Sequence, residues 1–407
     1  MHKNKLLKLV LILIFIIALT GCSSGSDWVM YRENLERTGS YNTSGQLPVG
    51  KLNWKAQLYQ GQRVLSSPIV SQGMIFVNGP DVLYAVDANS GKNKWMFDQE
   101  KYAGRAPAIA NGIVYAGKYG NTFFAVDTKN GQEKWKFEMG DMIASSPLIS
   151  NDIVYIGDLD GYLYAFHSGT GQEKWKFKTK KLEHPLNSPT AAIDYEIPGG
   201  IASEVAISNG IVYMSSLDGY LYALEADTGN EKWESNFGTI LSSPSVSNGT
   251  IYLGSNDGNV FAVDENGKLK WKIRIQDLTS VSLNPIDRIS IDQDVTIAND
   301  VIYFTGSFTH YFNYDSQQSD CYLYAVESTT GHAIWKLHLS SCASTDLTVV
   351  NNVLYFGDES GIVHAIDTTK SKELWKFQAD SAIYSEIAIA NGKAYFSTDG
   401  NYLYALR

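Results

Sequence analysis

The sequence is poor in the residues that carry metal, covalent or redox chemistry. Of 407 residues only 3 are Cys and 7 are His. His167, His184, His310, His332, His338 and His364 show no ligand spacing such as His-x-x-x-His, so no metal site is expected. No Gly-x-Ser-x-Gly elbow and no phosphate-binding glycine loop occurs. Asp158-x-Asp160-Gly161 has the look of a calcium loop, but Asp218-Gly219 and Asp257-Gly258 mark it as a recurring hairpin turn. Positive charge is also short: 33 Lys plus Arg stand against 43 Asp plus Glu, a net charge of −10. An acidic surface repels phosphate backbones, which argues against nucleic acid as a partner. Beyond the first 19 residues no apolar run could span a bilayer, and helical patterning is essentially absent.

What is abundant is tryptophan at a fixed period. Trp54, Trp95, Trp135, Trp175, Trp233, Trp271, Trp335 and Trp375 recur, mostly about 40 residues apart. Each period repeats the same phrases. Asn111-Gly112-Ile113-Val114-Tyr115 returns as Asn209 to Tyr213 and Asn248 to Tyr252. Leu83-Tyr84-Ala85-Val86-Asp87 is the first of eight copies, the last at Leu403 to Arg407. One period reads as four short antiparallel strands. Over 145–178 these are Ser145–Ser150, Ile153–Gly157, Tyr162–His167 and Glu173–Lys178, lettered A to D. Asn-Gly and Asp-Gly pairs supply the positive φ that hairpins demand, and Val, Ile, Tyr and Phe fill the strands.

Four-stranded units at this period fit propeller blades. The last copy, 382–407, lacks a Trp strand, and the first Trp strand, Leu52–Leu58, lacks an A to C unit. Together they make one blade. The expected fold is therefore all-β: an eight-bladed β-propeller of four-stranded antiparallel blades, closed by the N-terminal strand pairing into the last blade. Such closure removes exposed strand edges.

The segment joining strands C and D reads Ala-x-Asp-x-x-x-Gly-x-x-x-Trp, as in Ala85, Asp87, Gly91, Trp95 and in Ala125, Asp127, Gly131, Trp135. It resembles the tryptophan-docking motif of the pyrroloquinoline quinone (PQQ) repeat family of eight-bladed propellers, and the resemblance covers about 28–407. The third copy has His167 for Asp, the fifth is one residue shorter, and the seventh has Ser371 for Gly. The eight Trp are expected to be structural. Each would remove about 150–250 Å² from water, roughly 4–6 kcal/mol as an upper bound. Trp28 to Arg32, with Arg37-Thr38-Gly39, is similar to the segment before the first blade in that family and reads as a strap anchored by Trp28.

The N-terminus reads as an export leader. Lys3, Lys5 and Lys8 precede an apolar run from Leu9 to Leu19. Leu19-Thr20-Gly21-Cys22 resembles the lipobox of bacterial lipoproteins, which implies removal of 1–21 and acylation of Cys22. Several acyl chains give stable anchoring. The expected organisation is a lipoprotein signal peptide over 1–21, lipidated Cys22 with tether and strap over 22–50, and the propeller over 51–407. The protein is then placed in the bacterial cell envelope, lipid-anchored on the extracytoplasmic side of a membrane. Cys321 and Cys342 flank a hairpin made of Cys321–Glu327 and His332–Leu339, and in an oxidising compartment a disulfide is expected between them.

Three insertions depart from the repeat: Thr179–Ser203, Gln276–Gln293 and Gly306–Asp320. Two join strand D to the next strand A and one joins B to C, so all three should emerge on one face. Their candidate binding residues are His184, Tyr195, Arg288, His310, Tyr311, Phe312 and Tyr314. The family includes quinoprotein dehydrogenases that hold PQQ and calcium on the propeller axis. No calcium-ligand set and no catalytic Asp can be assigned here, so the expectation is no cofactor and no enzyme. The chain is similar to the BamB-type lipoproteins of outer-membrane assembly, which implies a scaffold for protein partners in the envelope. A small-molecule or glycan receptor is the alternative, with a PQQ-dependent dehydrogenase behind it.

Overall fold

The repeat closes into a ring of eight sheets. The computed structural model describes residues 30–58, 65–99, 104–117, 120–180, 200–238, 242–279, 287–291, 293–313 and 316–407. The leader, Cys22 and Trp28 lie outside them. The first blade runs Ile69–Ser71, Met74–Asn78, Val82–Asp87 and Asn93–Asp98 from the axis outward. Blade 3 has Leu148–Ser150, Ile153–Gly157, Tyr162–His167 and Glu173–Lys178, so three of its four strands end where the repeat placed them. Blade 8 joins the two ends of the chain: Leu52–Gln57 pairs antiparallel with Tyr402–Leu406, outside Lys393–Ser397 and Ala388–Ala390. No α-helix occurs among the described residues.

Strands B and C are buried on both faces, as Ile153–Gly157 shows at every position. They need continuous apolar runs because each blade is covered by a neighbour on either side. Strand D alternates, with Trp inward and charged residues outward, because it forms the rim. The motif residues each have a place in this packing. Its Ala stands directly opposite the Trp on the neighbouring strand, as in Ala125↔Trp135 and Ala165↔Trp175, leaving room for the indole. A β-bulge at that point swings the ring toward the next blade. The motif Asp closes the C–D turn: the Asp87 carboxylate accepts the backbone N–H groups of Asn89 and Ser90 at 3.1 and 2.9 Å.

Each of the eight described indoles reaches the adjoining blade. Trp54 Nε1 donates to the Ala88 carbonyl, Trp95 to Thr128, Trp135 to Ser168, Trp175 to Ala226, Trp233 to Glu265, Trp271 to Ser328 and Trp335 to Thr368. Trp375 donates to Pro48, just ahead of the closing strand. The motif Gly of the receiving blade lies under the ring. At Gly171 a Cβ would come 2.6 Å from Trp135, and φ is +71°. Ser371 keeps that left-handed conformation, with φ of 47°, without glycine's freedom.

Replacing Trp135 removes both a buried bond to Ser168 and a ring packed on Phe123 and Phe166 at 5.7 and 6.3 Å. Trp135→Ala should lower unfolding free energy by about 3–5 kcal/mol. Urea unfolding measures it, and a loss under about 1 kcal/mol would show that the docking is dispensable.

Candidate functional site

Two regions stand out, one on the axis and one on the face where strand D connects to strand A. Each innermost strand leaves backbone N–H groups turned toward the axis, and a buried donor needs a partner. The N-terminal segment supplies it. The carbonyls of Leu35, Glu36, Thr38 and Gly39 accept from Ile207, Val246, Ile297 and Val349, the inner strands of blades 4 to 7 in turn. Ser40–Tyr41 then pairs parallel with Thr348–Val350, and the Tyr41 hydroxyl donates to the Ile389 carbonyl in blade 8. The segment read as a strap packed against the propeller lies along its axis as a plug, held by backbone groups of the inner strands.

Arg32 and Arg37 go with it and are fully buried. Arg37 donates to the carbonyls of Tyr31, Val205 and Pro147. Arg32 donates to Val295 and Thr296 and lies 3.5 Å from the Asp294 carboxylate. Four buried acids face them: Glu204, Asp294, Asp346 and Glu386. Ser146 and Ser243 donate to Glu204, the Ser243 N–H to Asp294, and the Asp294 N–H to Asp346. Sequence reasoning missed this ring, although a signal exists. Two residues before the inner strand, blades 1, 2, 3 and 5 carry Ser67, Ala106, Ser146 and Ser243, each followed by Pro. Blades 4, 6, 7 and 8 carry the four acids instead. Four acids against two cations cannot all stay charged at low dielectric. Burial pushes Asp346 up to about 7. Burial and the Asp346 charge push Glu386 up to about 8. Burial also raises Asp294 against the pull of Arg32, and lowers Arg37 to about 10 against the pull of Glu204.

The insertion face is built differently from expectation. Gly306–Asp320 is not a loop. Strands B and C of blade 6 run on as Val301–Asn313 and Ser316–Glu327, paired from Val301↔Glu327 to Asn313↔Ser316. Within the second insertion, Arg288–Ser290 adds a strand to this arm through Arg288↔Thr309 and Ser290↔Ser307. Two insertions thus build one three-stranded arm. The roots of the first, at Thr179 and Ile201, bond to Gly161 and Asp158 beside the B–C turn of blade 3, on the same face.

The arm places the candidate residues as follows. The Arg288 guanidinium lies over the Tyr311 ring, 5.8 Å from its centroid. His310 Nδ1 is 2.9 Å from Asp287, whose other oxygen accepts the Tyr311 N–H at 3.2 Å. The Phe312 side chain, Tyr314, His184 and Tyr195 lie outside the described residues. Cys321 and Cys342 are joined with Cα atoms 5.2 Å apart, tying the arm to the chain leaving strand D. Asp287, unmarked in the sequence, is the arm's buried acid.

A family model described as outer membrane protein assembly factor BamB matches residues 46–102, 81–196, 159–306 and 319–407. The chain belongs to that family. No curated protein matches it by sequence. Among solved structures it is similar to BamB from Moraxella catarrhalis, with TM-score 0.66 and 15% identity over 88% of this chain and 99% of that one. It is also similar to a europium-containing methanol dehydrogenase, with TM-score 0.71 and 14% identity over 92% and 89% of the two chains. The quinohemoprotein alcohol dehydrogenase from Comamonas testosteroni gives TM-score 0.72 and 14% identity over 93% and 80%. At these identities the likeness concerns the fold. It also overturns one expectation: a ring that BamB shares with dehydrogenases carries no exclusion of catalysis, so the inference that the chain is not an enzyme is withdrawn.

The axial acids generate a pH prediction. The folded chain keeps protons on Asp346 and Glu386 that the unfolded chain has already released near pH 4. Stability should therefore fall as pH rises toward 8, through the two folded-state values. Thermal unfolding from pH 6 to 9 should show this decline, and Glu386→Gln should flatten it. An equal slope in the variant would detach the ring from the effect.

Proposed function

We propose that this BamB-family propeller is a lipid-anchored scaffold that holds envelope proteins during outer-membrane protein assembly. Acylated Cys22 fixes it to the membrane, with 1–21 removed as the signal peptide. Residues 22–50 then serve as tether and axial plug, and 51–407 as the ring. The eight indoles act as inter-blade fasteners, the Cys321–Cys342 disulfide braces the arm, and partners are held by the insertion face. The observation that carries this reading is the arm. Function on such scaffolds resides in the connections that depart from the repeat. Here parts of the second and third of them form an ordered sheet that presents Arg288, His310 and Tyr311, residue types suited to contact surfaces. His184, Tyr195, Phe312 and Tyr314 extend the same surface in this reading. The family description and the export leader both favour the envelope as the place of action.

The test shortens the arm by joining Phe308 to Asp320 through an Asn-Gly turn, and separately makes Cys22→Ser. Crosslinking in native membranes followed by mass spectrometry should lose an outer-membrane assembly component with the short arm while the thermal transition persists. Cys22→Ser should move the protein out of the membrane fraction. Unchanged crosslinks with the short arm would remove the binding face from the proposal.

A further inference from the structure

The groove between blades 4 and 5 departs from its neighbours on the face opposite the insertions, where the A–B and C–D turns lie. In three other grooves the indole and a tyrosine hydroxyl share one carbonyl: Trp135 and Tyr115 at Ser168, Trp175 and Tyr155 at Ala226, Trp271 and Tyr252 at Ser328. Between blades 4 and 5 the Glu265 carbonyl accepts from Trp233, and this is the one exposed bond of the eight indoles. Tyr213, only 4% exposed, makes no hydrogen bond through its hydroxyl among the described residues, and it lines a cavity of about 490 Å³. We propose that this groove binds a neutral, hydroxyl-rich small molecule of the mono- or disaccharide class.

Two departures from the repeat open the groove. The C–D turn of blade 5 is one residue short: the Gly267 N–H bonds Asp264, three residues back, where Gly131 and Gly171 bond Asp127 and His167, four back. The second departure is in the A–B turns. The side-chain amides of Asn111, Asn248 and Asn299 each donate to the second turn residue of the next blade, Asp152, Asp300 and Asn352 in turn. For Asn209 that residue is Gly249, which has no side chain to receive it, and both line the cavity. The volume lies in the range of small-molecule sites, about 300–1,000 Å³. The chemistry of the walls selects the ligand. A sugar hydroxyl both donates and accepts, and so do the Tyr213 hydroxyl and the amides of Asn209 and Asn266. Lys232 and Glu265 enter with opposite signs, so the cavity carries no net charge that would select an anion or a cation. Ile211 and Val246 supply apolar wall for the C–H face of a sugar ring. A tyrosine hydroxyl without a protein partner costs free energy until water or a ligand satisfies it, which favours an occupant that brings hydroxyls. The site lies on the face away from the arm, so the inference does not depend on the scaffold reading.

Indole 15N NMR of the full mature chain, titrated with glucose, N-acetylglucosamine and maltose, tests it. At least one of the three sugars should shift the Trp233 Nε1 signal saturably and leave that of Trp135, buried against blade 3, in place. Tyr213→Phe removes only the hydroxyl and should weaken that binding about three- to tenfold. Gly249→Asn should weaken it similarly, by giving Asn209 the partner that Asn352 gives Asn299. Asn352 has φ of 64° and Gly249 has +67°, so the turn accepts the change. Tyr155→Phe, whose hydroxyl is bonded to Ala226 in the next groove, should bind as the unaltered chain does. Thermal unfolding of each variant checks the fold. No saturable shift with any of the three sugars, or binding that either Tyr213→Phe or Gly249→Asn leaves unchanged, would overturn the proposal.

Discussion

The ring depends on one contact repeated eight times: an indole N–H from the outer strand of one blade to a backbone carbonyl of the next. It joins packing and polarity in a single side chain. The ring fills the wedge between blades, and its one donor bonds a carbonyl there, which at Ser168, Ala226 and Ser328 also accepts a tyrosine hydroxyl. Because Trp54 reaches Ala88 and Trp375 reaches Pro48, the same contact also spans the seam where the chain's two ends meet in blade 8. The motif follows from this geometry. Ala clears space beside the indole, Asp tightens the turn, and Gly lets the backbone slide beneath the ring.

Closure of that kind solves the outer edge and creates an inner one. Eight innermost strands point their spare N–H groups at the axis, and here a coiled, turn-containing segment satisfies four successive blades. The chain cannot enter the axis without its side chains, and it brings Arg32 and Arg37 into a space lined by four acids. Burial raises the acids because water is absent, and the two arginines offset only part of that cost. The plug is thus held by backbone pairing and tuned by charge. Plug and ring define each other, since the acids occur only in blades that lack the proline of the others.

The ring was legible in the sequence because it is periodic. Period, turn dipeptides and the position of Trp gave the strands of blade 3 to within a residue except at Ser145–Pro147, where the chain stays close to the axis without pairing. Blade 8 was legible from two incomplete repeats. The axial ring was not, because its members are single residues spread over 182 positions and become neighbours only when the ring closes. Nor was the arm's form. Gly306–Asp320 interrupts the repeat, and an interruption suggests a loop. The pairing of Arg288 with Thr309 depends on a second insertion folding back on the first, which no local pattern encodes. Asp287 was passed over for the same reason: its meaning lies in His310, 23 residues away.

That the third insertion and part of the second form strands bears on what they can do. A free loop that orders on contact loses conformational entropy at the moment of binding. An arm already paired along Val301–Asn313 and Ser316–Glu327, flanked by Arg288–Ser290 and tied through Cys321–Cys342, has met that cost during folding. Its side chains stand at fixed spacing on a known face, which is why Arg288 meets Tyr311 on one side and His310 meets Asp287 on the other. The repeat makes a rigid ring, and the departures from it extend that rigidity outward by adding strands to a blade that already exists. A surface built in this way is specific in position from the start, and any partner that it binds meets it as a preformed sheet.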